Sequence, residues 1–138
     1  MTASLSIQSR SLQGTVVTRI AQAMRAPALS PVADVLIHKV KTCLFDFIGC
    51  AFEARDLPWS LEAVHFARLS QATQGAAVIG APVISSYGDA AFANGVMGHG
   101  LVREDMHSAS ISHLGIVMMP TLLALAQYKK ITGCRFIE

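Results

Sequence analysis

The stretch from Pro31 to Phe52 constrains this chain more than any other. Val32, Val35, Leu36, Val40, Cys43, Leu44, Phe47, Ile48 and Ala51 recur at helical spacing, and Ile37 and Phe45 widen the stripe. Lys39, Lys41 and Asp46 are too few to complete a polar face. The pattern predicts a helix from about Pro31 to Phe52 that is buried on most sides. The rest of the chain, or a partner, must supply the cover.

Composition sharpens that demand. Only 14% of the 138 residues are charged and 52% are hydrophobic, where about 25% charged is usual for soluble domains. The expectation is burial against a partner, for example a second copy of the chain, or against the remainder of a larger fold. Net charge is +2 without a basic run, so nucleic acid finds no electrostatic footprint. The longest apolar run, Leu114 to Ala126, contains Pro120 and falls short of the roughly 20 residues that cross a membrane. It reads as a buried helix. The first residues, "MTASLSIQSRSLQGT", lack the apolar core of a secretory signal, and residues 1–14 read as a frayed tail. Three cysteines, Cys43, Cys50 and Cys134, lack CxxC spacing. Cys43 and Cys50, seven apart and so on one helical face, read as small core residues; a reducing cytoplasm suits all three, and none reads as a nucleophile.

Other helices follow from the same periodicity. Val16, Val17, Ile20, Ala23 and Met24 predict one over Thr15–Ala26, and Ser30–Pro31 reads as the cap of the next. Pro58 opens a third that runs to about Gln71. In "QGAAVIGAPVISS" short β-branched residues between glycines predict an extended piece near Ala76–Ile79. Helix returns over Tyr87–Leu101, where Ala90, Ala91, Ala93, Gly95 and Gly98 leave room for a close neighbour. A last full helix spans Gly115–Lys130, and "TGCRFIE" predicts a turn plus the start of another. The fold class is all-α: mostly antiparallel helices with one short extended segment, in one domain over residues 15–138.

Chemistry concentrates in "HGLVREDMHSASISHLG", residues 99–115. Three readings of His99, Glu104, Asp105, His107 and His113 stay open. One is a solvated turn between two apolar helices. A second is a metal site pairing His107 and His113 with an acid, though neither HExxH nor His-x3-His is present. The third is acid–base chemistry. His113 precedes an apolar helix whose first N–H groups would favour an anion such as a carboxylate. The same field disfavours an imidazolium, leaving His113 a neutral donor or base.

The ordered segments "DAAFANGVMGHGLVREDMH", "SHLG" and "MMPTLLALAQ", with "KVKTCLFDFIGCAF" upstream, resemble the MmgE/PrpD family. That family includes 2-methylcitrate dehydratases, cis-aconitate decarboxylases and an iminodisuccinate epimerase. The resemblance runs from Thr15 onward. It implies the N-terminal part of a helical domain, a following α+β domain, and a small di- or tricarboxylate bound between them. It implies no metal and no organic cofactor. By this resemblance Asp105, His107 and His113 fall on catalytic positions, and His113, Glu104 and Asn94 on substrate-binding ones. The family's motif Asp-Phe-Asp-Asp-Thr places its first Asp on Val102 and its Thr on Met106, and the proline expected after the later His is Leu114. Neither valine nor methionine transfers a proton. The family's downstream Lys and His have no counterpart before Glu138. The expectation is therefore an N-terminal portion or truncated relative of a carbon–oxygen lyase or decarboxylase, inactive alone. The alternative is a non-catalytic helical subunit that pairs with a second chain.

Overall fold

The computed structural model describes residues 14–25 and 32–137. The expected tail at residues 1–13 and the expected Ser30–Pro31 cap lie outside the described residues. The chain divides into two units, residues 1–32 and residues 33–138. In the first, α1 spans Val16–Arg25. Thr15 starts it by accepting a hydrogen bond from the Thr18 amide at 3.2 Å.

The second unit holds α2 (Asp34–Glu53), α3 (Pro58–Arg68), β1 (Gln71–Ala77), β2 (Ile84–Ser85), α4 (Tyr87–Gly98), α5 (Gly115–Lys129) and α6 (Gly133–Ile137). Helix dominates, but the expectation of an all-α chain needs correcting. The two strands pair antiparallel, with Ala77 opposite Ile84 and Ala76 opposite Ser85. The extended piece thus begins at Gln71, five residues before the predicted start at Ala76. Helix α3 stops at Arg68 instead of Gln71: the Leu69 and Ser70 amides donate to Phe66 and Ala67, three residues back, and the Ser70 carbonyl accepts from the Ser86 amide. Two side-chain amides then hold the strand in place. Asn94 accepts from the Ile79 amide at 2.8 Å and donates to the Ala77 carbonyl at 2.9 Å. Gln127 accepts from the Ala77 amide at 2.8 Å. No periodicity signals such contacts.

Helix α4 sits at the centre, packed against α2, α3, α5 and β1. Ala90, Ala93 and Met97 are fully buried on it, and Phe47 of α2 joins them. Ser86 caps its start, accepting from the Asp89 amide at 3.2 Å. The small-residue stripe does what its sequence suggests. A β-carbon on Gly98 would lie 2.4 Å from Ile116 Cδ1 and 2.7 Å from the Phe47 ring, so only glycine lets α2 and α5 close on α4 here. The helix ends there, three residues earlier than its pattern predicts, with His99 as C-cap. Pro120 lies inside α5 and leaves the Ile116 carbonyl without its helical donor. That carbonyl lies near Gly95, where a β-carbon would meet it at an ordinary contact distance of 3.8 Å.

Helix α2 corrects a second expectation. It buries only Cys43, Phe47, Cys50 and Ala51, all on the side facing α4 and α5. Val35, Phe52 and Phe45, the last 81% exposed, face away. Arg55 lays its guanidinium 4.2 Å from the Phe52 ring centroid, while Val35 and Phe45 stay largely exposed.

Candidate functional site

The segment between α4 and α5 is fastened to α2 at two points. Arg103 donates to Glu53 at 2.7 Å, and the Asp105 amide donates to Asp46 Oδ2 at 3.1 Å. Asp46 and Glu53 are seven residues apart on α2, two turns along one face. Anchored on either side, Glu104 is driven inward, and its side chain is only 1% exposed. Burying a carboxylate requires partners, and two histidines stand beside it. His99, at the end of α4, contacts Oε1 through Nδ1. His113, at the entry to α5, places Nδ1 3.1 Å from the same oxygen. The two imidazoles meet edge to face, 5.3 Å between centroids.

Hydrogen bonding does not complete this group. The His113 approach is off-axis, so its Nδ1 has no hydrogen-bond partner among the described residues, and neither has Glu104 Oε2. Both atoms are buried.

Backbone strain accompanies the cluster. A turn closes where the Val102 amide donates to the His99 carbonyl at 3.1 Å. Val102 adopts φ +52° and Ile111 φ +49°, left-handed conformations that β-branched residues rarely take. Strain of this sort gathers at functional loops.

The predicted site residues separate into groups. Glu104 and His113 come together, joined by His99. Asp105 turns away to α5: its Oδ1 would lie 1.9 Å from a β-carbon on Gly115, so glycine at that position makes room for the carboxylate. The anion at the positive end of α5 is thus the chain's own Asp105, which corrects the expectation of an open carboxylate site at that helix end. His107 is exposed and bound into its own turn, its Nδ1 2.7 Å from Ser110 Oγ. Asn94 is 1% exposed, with both ends of its amide committed to the strand. Val102 and Met106 are exposed and bring no polar atom to the cluster. A sequence reading that pairs His107 with His113 misses His99 as the partner. The available signal was the position of His99 and His113 at the facing ends of two apolar helices.

Next to His99 a groove of about 660 Å³ opens between α4 and α5, with Tyr87, Phe92, Val96, Val117 and Leu125 in its walls. It is apolar apart from its histidine end. The Cys50 thiol has its pKa pushed up by burial first, then by the carboxylates of Asp46 and Glu104. A thiol held protonated is a poor nucleophile, consistent with a packing role.

A family model described as the MmgE/PrpD N-terminal domain matches residues 18–138. Neither a comparison with curated proteins nor one with solved structures returns a match.

Proposed function

This chain belongs to the MmgE/PrpD family as its N-terminal domain, and from that premise we propose that it forms one wall of a cofactor-free lyase site for small di- or tricarboxylates, inactive by itself. The observation that carries the reading is the buried Glu104 carboxylate flanked by His99 and His113 at the mouth of the α4–α5 groove. Elimination beside a carboxylate requires a base for the carbon-bound proton and an acid for the departing hydroxyl. In this reading His113, 27% exposed, is the proton-handling group, and Glu104 orients its ring. The motif positions Val102 and Met106 hold no group able to transfer a proton, so the chain alone turns nothing over. Arg103 is spent on Glu53, so charge to hold a tricarboxylate must come from a second domain or chain.

Binding tests this reading with the chain as it is. In metal-free buffer, citrate in excess should shift the imidazole NMR signals of His99 and His113 but not of His107, while sulfate should shift none of them. Unmoved His99 and His113 signals at saturating citrate would refute it. A steady-state assay with 2-methylcitrate or cis-aconitate should give no turnover above a heat-killed control.

A second reading is favoured by the exposed apolar face of α2. There the chain is a helical subunit that associates through Val35, Phe45 and Phe52, with a second copy or a partner chain. Light scattering coupled to size exclusion would show a monomer if this reading is wrong.

A further inference from the structure

We propose that the groove between α3 and α4 binds a small organic cation, an ammonium group carrying alkyl substituents. The inference goes beyond the carboxylate-site reading and does not depend on it.

Two helix faces build the groove. Trp59, Glu62 and Phe66 recur on α3 at spacings of three and four, so they share one face. Asp89, Phe92 and Val96 do the same on α4. Between them lies a volume of about 610 Å³, within the range of small-molecule sites. Phe92 and Val96 also border the groove between α4 and α5, but His99 lines only that one.

Charge selects the occupant. Two carboxylates and no Lys, Arg or His side chain line the α3–α4 groove, although the chain as a whole carries a net charge of +2. Glu62 is exposed and makes no ion pair among the described residues. Asp89 takes the Ser70 and Ser86 hydroxyls on Oδ2, which leaves Oδ1 for a ligand. Those hydroxyls, Ser70 first, hold its pKa below the ordinary 3.8, so it is an anion at neutral pH.

The walls decide which cation. Trp59, Phe66 and Phe92 are each about half exposed, and the two phenylalanine rings meet edge to face, 5.5 Å between centroids. Aromatic faces attract an ammonium charge and its alkyl groups together, whereas a metal ion requires several oxygen, nitrogen or sulfur ligands. Trp59 and Phe66 stand two turns apart, about 10.5 Å along the helix, with Glu62 between them. An ammonium beside Glu62 thus has an aromatic ring on either side, and its alkyl groups cover apolar surface otherwise left in water.

Trp59 is the only tryptophan in the chain, so its fluorescence reports on the groove directly. Choline chloride, titrated into the full chain at constant ionic strength, should change the emission and saturate. Its neutral isostere, with carbon in place of the ammonium nitrogen, should bind at least about 10-fold more weakly. Glu62→Gln, at an exposed position, should weaken choline by about 3-fold at an unchanged urea midpoint. Phe66→Leu, which keeps an apolar side chain, should weaken it by a similar factor. Asp89→Asn should weaken it too, but that change also touches the start of α4, so Glu62→Gln decides. The proposal is overturned if choline gives no saturable change up to tens of millimolar. It is equally overturned if the neutral isostere binds as tightly, which would leave an apolar groove only, or if Glu62→Gln and Phe66→Leu both bind choline like the parent. None of these results bears on the citrate experiment, which reads His99 and His113.

Discussion

Replacing Val102 with asparagine should make the protein more stable, although the position lies beside the candidate site. Val102 sits at φ +52°, where the left-handed conformation costs a residue other than glycine about 1–2 kcal/mol, with asparagine partly exempt. A β-branched side chain belongs at the upper end of that range. Its side chain contributes little in return. At 62% exposed, it retains only a fraction of the burial energy of a core valine, about 0.6 kcal/mol from a full value near 1.5. The amide that donates to the His99 carbonyl survives the change. The balance favours asparagine by about 1 kcal/mol, or roughly 3–4 °C in melting temperature for a domain of this size. Urea unfolding is the assay, and the midpoint should rise with an unchanged slope. Val102→Ala is the control: it removes the branch but keeps a β-carbon, so its gain should be smaller. An asparagine variant with the same midpoint as the parent, or a lower one, would show that the turn carries no such strain. Aspartate, which the family resemblance leads one to expect here, should relieve the same backbone but gain less, because it adds a further negative charge two residues from Glu104.

Gly98→Ala should destabilise by about 1–2 kcal/mol in the same assay, since overpacking against the rigid Phe47 ring costs about 1–3 kcal/mol and outweighs the helix-propensity gain of up to about 1 kcal/mol; the parent midpoint would disprove the close approach of α4 to α2. The Asp89 carboxyl has its pKa held below the ordinary 3.8 by hydroxyls donated from Ser70 and then Ser86. A lowered folded value means stability that is present above the unfolded value and lost as pH falls through the folded one. Asp89→Asn should therefore lower the unfolding midpoint near neutrality and narrow its gap to the parent at about pH 3, and an equal gap at both pH values would contradict this. Under native conditions iodoacetamide should label Cys134 first, because it is exposed while Cys43 and Cys50 are buried, and mass spectrometry showing Cys50 modified as fast would overturn that burial.

What the sequence determined by itself is mainly local. Helix spacing in Val32–Ala51 and Leu114–Ala126 and Pro58 at a helix start place most helices within a few residues of where they lie. These signals are legible because a helix is written in contacts three and four residues apart. The shortage of charge likewise anticipated apolar side chains left exposed among the described residues, on α2 above all. The family resemblance was legible too, since it rests on ordered residues and not on their geometry. Partnership between distant side chains was not legible. Whether His99 or His107 would meet His113 depends on the path of residues 99–115, and that path is set by Asp46 and Glu53, 59 and 50 residues from the groups they hold. The same tertiary constraint directs Asp105 to the start of α5, commits Asn94 to the strand and turns Glu104 inward. Tertiary structure decided these because the contacts join separate elements across loops, at separations up to 59 residues, beyond the three- and four-residue spacing of a helix.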